Sequence, residues 1–128
     1  MPITTANPKG VHQPASSYSH AVLVTGPGRR LVISGQIGMA PDGTVPKKSG
    51  EQMDQALANI GAILAAHGMG PSNLVKMTVY LLNIGCMLHW RTHRDAFLKG
   101  HHAASTMLVV SALADPRFLV EVEAEAAD

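Results

Sequence analysis

The chain has 128 residues, of which 46% are hydrophobic and only 4% aromatic, and its formal net charge is +1 at pH 7. This length predicts one domain over residues 1–128 with a core of aliphatic side chains, and it leaves no room for a second domain. The balanced charge, without a basic stripe interleaved with aromatic residues, argues against nucleic acid as a partner.

The cysteine content and the apolar runs favour a cytoplasmic protein. Cys86 is the one cysteine of the sequence, so it has no internal disulfide partner, which favours a reducing compartment. Residues 1–10 contain no apolar stretch of signal-peptide length. No later run approaches the roughly 20 apolar residues that a membrane span needs.

The N-terminal part predicts an extended arm followed by a β-hairpin. Residues 1–19 are rich in Pro, Ser, Thr and Asn, which is typical of an arm or loop. Two short apolar runs, 20–25 and 31–34, flank the turn residues 26–29 and predict the two strands of the hairpin. The second strand ends in Ser34-Gly35-Gln36.

A loop over residues 40–50 precedes a predicted amphipathic helix. We expect the helix to begin near Ser49, whose hydroxyl would cap the first turn, and to end at Gly68. Four apolar residues recur at spacings of three and four and predict its buried face: Met53, Leu57, Ile60 and Leu64.

The second half predicts a strand, a helix and two further strands. Residues 74–82 alternate apolar and polar side chains, as a half-buried strand does. A helix over 86–98 follows, and strands over 106–113 and 118–124 are joined by turn residues 114–117. The order β-β-α-β-α-β-β predicts an α+β fold with a mixed sheet and both helices on one face. The other face would be bare, so we expect a partner subunit to cover it.

Five segments, in order along the chain, resemble the RidA/YjgF enamine/imine deaminase family. They lie before the first strand, at the end of the hairpin, on the first helix, on the central strand and on the last strand: residues 17–21 (SYSHA), 33–37 (ISGQI), 55–60 (QALANI), 74–81 (LVKMTVYL) and 120–124 (VEVEA). The resemblance implies a YjgF-like (chorismate-mutase-like) fold and a homotrimer whose sheets form a central barrel. It also implies ligand clefts between subunits, a small imine or enamine substrate, and neither cofactor nor metal.

The chain departs from the family at the residue that holds the substrate carboxylate. The family has Pro-Ala-Arg-Ser there, and this chain has His102-Ala103-Ala104-Ser105. Arginine suits the role because its planar guanidinium donates two parallel hydrogen bonds to a carboxylate. Ala104 therefore predicts a shifted substrate range.

The remaining pocket residues of the family match this sequence. The resemblance implies that Glu121 orients a water for addition to a C=N bond, with Thr106 beside the missing arginine. Tyr18 and the backbone of Ser34 and Gly35 would line the pocket. Read without the family, Glu121 is an exposed strand residue, Tyr18 packs on the hairpin, and Gly35 marks a close approach of the backbone.

Three residues are candidates to replace the lost cation. Arg91 and Arg94 are three residues apart on the second helix, so they share a face, and His102 stands where the family has proline. The alternative is a solvated helix face and a loop histidine. A zinc site from His89 and His93 is disfavoured because no third ligand is fixed by spacing.

Two functions from different classes follow. The first is a RidA-like hydrolase or deaminase that acts on a small C–N substrate without a metal. The second is a non-catalytic trimer that binds a small metabolite or another protein through the same cleft.

Overall fold

The computed structural model describes residues 3–14 and 19–128. Within them the chain forms six strands and two α-helices. In chain order these are β1 (Ile3–Ala6), β2 (Ala21–Thr25), β3 (Arg29–Ile37), α1 (Ser49–Ala65), β4 (Leu74–Leu81), α2 (Met87–Leu98), β5 (Ala104–Val109) and β6 (Val120–Ala127).

The strands form one mixed sheet in the order β1-β2-β3-β6-β4-β5. β4 and β5 run parallel, because α2 crosses over between them, and the other described pairs are antiparallel. The last strand in sequence, β6, therefore lies in the middle of the sheet. The predicted α+β class with a mixed sheet is confirmed.

Both helices pack on one face of this sheet, as predicted. α1 lies on β3 and β6, and its buried face includes the four residues predicted for it: Met53, Leu57, Ile60 and Leu64. α2 lies beside α1, where a Cβ at Gly61 would be 3.4 Å from the Phe97 ring. Trp90 of α2 joins the same core. Burial of each such side chain stabilises the fold by about 1.5–3 kcal/mol.

The predicted loop at the N-terminus is wrong for residues 3–6, which form β1. This strand pairs antiparallel with β2, from Ile3 opposite Val24 to Ala6 opposite Ala21. The observed order is thus β-β-β-α-β-α-β-β, one strand more than predicted. The four residues are exposed or half-buried, so their stability as a strand comes from backbone pairing with β2, not from an apolar face.

The boundaries of three strands also differ from prediction. β3 continues to Ile37 through the predicted end at Ser34. β5 starts at Ala104 and ends at Val109, and β6 reaches Ala127. β6 is longer because its small alanines still pair with neighbours on both sides.

The predicted cap of α1 is wrong as well. Ser49 is the first helical residue, Lys48 occupies the N-cap position, and no side chain caps the helix there. The Ser49 hydroxyl instead accepts from the Cys86 thiol, with 3.9 Å between Sγ and Oγ. The helix ends at Ala65, three residues before the predicted end. Gly68 closes the turn that follows, with φ +70°, a conformation that glycine adopts without strain.

The sheet face opposite the helices is open in the chain and carries three rows of side chains. The cross-strand register puts Glu121 beside Tyr80 and Leu108, and the next row has Glu123, Thr78 and Thr106. A third row runs through Val22, Val32, Glu125, Lys76 and Ala104. Leu108 is 46% exposed, so an apolar residue on this face lacks cover from residues 3–14 and 19–128.

Candidate functional site

Glu121 lies on the central strand β6 and points away from the helices. Burial alternates along β6, with Val120 and Val122 in the core and Glu121 half-buried on the opposite face. Successive side chains of a strand point to opposite faces, so the sequence Val-Glu-Val produces this arrangement. Glu121 has Ile37 of β3 on one side and Tyr80 of β4 on the other.

Gly35 leaves the space in which the Glu121 carboxylate lies. The register of β3 shifts between Ile33 and Gln36, as in a β-bulge, and Gly35 lies within the shift. A Cβ at Gly35 would lie 2.8 Å from Cδ of Glu121 and closer still to Oε2. No side chain fits there unless the carboxylate moves, so Gly35 and Glu121 form one structural unit.

The surroundings of Glu121 favour its protonated form more than water does. Burial raises the pKa of the Glu121 carboxyl above its usual value, and the charge of Glu123 on the same face raises it further. Tyr80 holds Glu123 in place, since its hydroxyl donates to Oε1 of Glu123 at 2.8 Å. A raised pKa makes a carboxylate a stronger base, which suits a group that must accept a proton before it donates one.

Tyr80 and Glu123 were not among the predicted site residues. The signal in the sequence was the spacing of Glu121 and Glu123, because residues two apart on a strand share a face. The contact of Tyr80 with Glu123 depends on the pairing of β4 with β6, which local patterns do not reveal.

Ser34 ties the segment before β2 to the bulge. Its hydroxyl donates to the Ser19 carbonyl at 2.6 Å, and its backbone N–H donates to the His20 carbonyl at 2.8 Å. Ser34, one of the two predicted backbone residues of the pocket, therefore contacts the two residues that follow Tyr18 in the sequence. Tyr18 itself lies outside the described residues.

A buried polar cluster of His12, His20 and Gln36 supports this segment. Nε2 of His20 donates to the His12 carbonyl at 2.7 Å, and the Gln36 side-chain amide donates to Nδ1 of His20 at 3.0 Å. The contact with Gln36 requires Nδ1 without a proton, so the two contacts together fit a neutral His20 ring that carries its proton on Nε2. Burial lowers the pKa of His20, the backbone hydrogen bond to His12 opposes this, and the charge of His12 adds to the lowering.

Ala104 and Thr106 lie on β5, an edge strand of the described sheet, and do not meet Glu121 within one chain. Ala104 lies beside Lys76, and Thr106 lies beside Thr78. Glu121 is two strands away from β5 and one row further along the sheet. With strands about 4.8 Å apart, that is a separation of roughly 10 Å or more between Thr106 and Glu121.

Arg91 and Arg94 come together with Thr106 in a groove between α2 and β5. The groove has a volume of about 210 Å³ and is lined by Trp90, Arg91, Arg94, Ser105, Thr106 and Met107. A neighbouring groove of about 280 Å³ continues along Arg94 to His102. The three candidate cations thus share one side of the molecule, at the edge of the sheet that carries Ala104.

The histidines of α2 do not assemble a metal site in the described ranges, 3–14 and 19–128. No group of three or more His, Cys, Asp or Glu side chains there is arranged to hold a metal ion. His93 instead pairs with Asp54 of α1, with 2.5 Å between Nδ1 and Oδ1.

Across the part of the chain that the structure describes, no helix combines the length and the apolar character that crossing a membrane requires.

Comparison with known proteins gives consistent matches to one family. The family model described as endoribonuclease L-PSP matches residues 10–128. Among curated proteins, the 2-iminobutanoate/2-iminopropanoate deaminase of Rattus norvegicus is 47% identical over 70 residues, which is 53% of this chain and 49% of the rat protein. The deaminase of the same name from Mus musculus is 38% identical over 110 residues, covering 84% of this chain and 78% of the mouse protein. The chain spans about half the length of the first of these relatives.

Among solved structures, a conserved Rid-family protein of unknown function from Yersinia pestis superposes with a TM-score of 0.91 at 29% identity, covering 99% of this chain and all of that one. The fold is thus that of a six-stranded α+β protein similar to this Rid-family structure. The chain belongs to the endoribonuclease L-PSP family, and the resemblance to the RidA/YjgF family that its motifs carry is confirmed.

Proposed function

We propose that the protein is a RidA-like hydrolase that adds water to the C=N bond of a small imine, or of the imine tautomer of an enamine, and releases ammonia. The observation that carries the proposal is the half-buried Glu121 carboxylate above Gly35, with a pKa raised by burial. Family membership and the names of the curated deaminases support the same chemistry.

In this mechanism Glu121 transfers two protons to the nitrogen, one after the other. The carboxylate accepts a proton from water as the water oxygen bonds to the imine carbon, and the π electrons of the C=N bond pass to nitrogen. The carboxyl then returns the proton to that nitrogen, which gives a carbinolamine. The carboxylate next takes the proton of the carbinolamine hydroxyl and passes it to the amine nitrogen, the C–N bond breaks with its electrons on nitrogen as the C=O bond forms, and a carbonyl compound and ammonia remain. The raised pKa of Glu121 suits both transfers.

A neighbouring subunit completes the site in this proposal. Thr106 lies roughly 10 Å or more from Glu121 of its own chain, as judged from strand spacing, so Thr106 of an adjacent chain is the one proposed to line the Glu121 cleft. The backbone of Ser34 and Gly35 is proposed to line it from the Glu121 side, and Tyr18 stays a predicted pocket residue. The uncovered apolar residues of the open face, such as Leu108, support a homotrimer that buries this face.

Ala104 shifts the substrate range away from imines with a carboxylate on the reacting carbon. A methyl group offers no hydrogen bond to an anion, whereas each hydrogen bond from a charged donor contributes about 1.5–3 kcal/mol. The names of the curated relatives specify 2-iminobutanoate and 2-iminopropanoate. We therefore expect this chain to turn over 2-aminoacrylate-type imines poorly.

The test measures ammonia release from a panel of imines, above the rate in buffer, by the wild type and the Glu121→Ala variant. Uncharged and aromatic imines form one arm and 2-aminoacrylate-type imines the other. Glu125→Ala is the matched control, because Glu125 is on the same strand and face.

We expect turnover of at least one uncharged imine, lost in Glu121→Ala and kept in Glu125→Ala. Equal rates for the wild type and Glu121→Ala would instead indicate the non-catalytic binding module. Rapid turnover of 2-aminoacrylate-type imines by the wild type would refute the shifted range.

A further inference from the structure

The groove between α2 and β5 has the chemistry of an anion-binding site. Its α2 wall carries two guanidinium groups, Arg91 and Arg94, and its lining includes no acidic residue from the part of the chain that the structure describes. Guanidinium groups bind oxyanions with paired N–H donors, and a guanidinium without a carboxylate partner has its positive charge uncompensated.

The two arginines differ in how far they are already engaged. Arg94 pairs with Asp95, the next residue, with 3.0 Å from Nε to Oδ1. For Arg91, no ion pair or hydrogen bond of the side chain is found with any residue in 3–14 or 19–128. Its guanidinium therefore has all five donors available to a ligand or to water.

The β5 wall offers further donors. β5 is an edge strand, and one edge of such a strand has backbone N–H groups without a strand partner. The hydroxyl of Thr106, which is exposed, makes no hydrogen bond within the described chain. Ser105 adds a second hydroxyl to the lining, although this one donates weakly to the Ala103 carbonyl at 3.2 Å. Neutral donors of this kind complement an anion held by arginine.

We propose that this groove binds the oxyanion of the substrate, a carboxylate or a phosphate, with Arg91 as its main cation and Arg94 beside it. Ala104 points to the open face, and the groove wraps the edge of β5 next to it. An anion in the groove therefore lies away from the place where an arginine at position 104 would hold one.

The substrate class follows from this displacement. If the C–N bond reacts at Glu121, the anion must be attached several bonds from the reacting carbon, not directly to it. This substrate class rests on the proposed hydrolase, because that proposal places the reacting bond at Glu121. The anion site itself does not, because the groove is formed by one chain and can bind an anion without any reaction.

The experiment titrates the full-length protein with inorganic phosphate and, separately, with glutarate at low ionic strength. Calorimetry gives the affinity, and NMR shifts of the Ser105 and Thr106 amides locate the binding. The variants are Arg91→Gln, Arg91→Lys and Arg94→Gln, each checked for folding by circular dichroism.

Two controls remove the same charge elsewhere. Lys76→Gln removes the cation beside Ala104 on β4, outside the groove. Arg117→Gln removes a loop arginine that pairs with Asp115.

We expect saturable binding of at least one probe, weakened about tenfold or more in Arg91→Gln, partly retained in Arg91→Lys, and unchanged in both controls. Equal affinity of the wild type and Arg91→Gln, a larger loss in Lys76→Gln, or no binding of either probe would overturn the proposal. Anion binding in the groove without imine turnover would refute the proposed hydrolase but not the anion site. Imine turnover at the same rate in the wild type and Arg91→Gln would refute the role of the groove in substrate binding but not the proposed hydrolase.

Discussion

At the scale of single residues, the contact between Gly35 and Glu121 dominates the chemistry of the open face. A carboxylate in the middle of a sheet loses part of its hydration, and the absence of a side chain at Gly35 is what makes room for it. Three substitutions separate the consequences for stability, geometry and specificity.

Glu121→Gln should make the protein more stable at neutral pH. Because burial raises the pKa of Glu121 in the folded state, the charged form costs stability, and this cost appears as the pH rises through the raised pKa. Below about pH 4 the carboxyl is protonated in both states, so the variant and the wild type should melt alike. Thermal melts at both pH values test this.

Glu125→Gln is the matched control for these melts, because Glu125 lies on the same face but pairs with Arg30 at 2.7 Å. Glu125→Gln should show no increase in melting temperature at neutral pH. A Glu121→Gln variant that is less stable than the wild type at pH 7 would contradict the assigned environment.

Gly35→Ala should abolish turnover and lower the free energy of unfolding. The new Cβ would overlap the Glu121 carboxyl, and relieving such overpacking costs about 1–3 kcal/mol. Denaturant titration and ammonia release measure the two effects. Gly70→Ala is the control, since nothing lies within 4 Å of a Cβ there. If Gly35→Ala keeps full activity, Gly35 does not position Glu121.

Ala104→Arg should give the protein affinity for small 2-oxo acids. A guanidinium on the exposed start of β5 would supply the two-pronged donor that this position lacks. Calorimetry with 2-oxobutanoate should show binding to the variant and little to the wild type. Absence of heat with the folded variant would mean that the cleft differs from the family by more than one side chain.

At the scale of elements, the sequence predicted those with a strong periodic pattern and missed those held by pairing alone. The spacing of Met53 to Leu64 predicted α1, and the alternation of apolar and polar residues predicted β4. β1 was missed because four mostly exposed residues carry no such pattern.

For the candidate site, too, the sequence indicated single residues but not the contacts that depend on strand and helix packing. Glu121 could be singled out through the resemblance, but its contact with Gly35 joins residues 86 positions apart and depends on the bulge in β3. Nor does spacing show that Arg91 and Arg94 face β5, since the packing angle of α2 decides this.

The cluster of His12, His20 and Gln36 should make the fold sensitive to acid. The pKa of His20 is lowered in the folded state, chiefly by burial, so the unfolded chain binds the proton more readily. Stability is then fully present above the unfolded pKa of about 6.5 and is lost as the pH falls below it. Protonation of His20 at Nδ1 would also place a ring N–H against the side-chain NH2 of Gln36, so that two donors face each other.

Thermal melts from pH 8 to pH 5 measure this effect. His20→Gln should be less stable than the wild type at pH 8 but should lose less stability on acidification. His102→Gln, which changes an exposed loop histidine, should follow the wild type. If His20→Gln loses as much stability on acidification as the wild type, His20 and its cluster are not the cause of the acid sensitivity.

At the scale of the whole molecule, one face of the sheet is covered by helices and the other is open. Leu108 is exposed there, and Glu121 and Thr106 share this face without meeting. Both features fit a closed cyclic assembly, in which each cleft takes one wall from each of two neighbours. A single chain would then hold two half-sites and no complete one.

Mixing two inactive variants tests this arrangement and the role of Glu121 together. Glu121→Gln removes the carboxylate, and Thr106→Trp blocks the opposite wall of the proposed cleft with a bulky side chain. When subunits are unfolded together in equal amounts and reassembled, native mass spectrometry tests whether the proposed mixed trimers form, and ammonia release measures the activity. A cleft is intact when its Glu121 comes from a Thr106→Trp subunit and its Thr106 from a Glu121→Gln subunit. Each condition holds for half of the clefts in an equal mixture, so the mixture should recover about a quarter of the wild-type rate. Mixed trimers that form but stay as inactive as either variant alone would contradict the account.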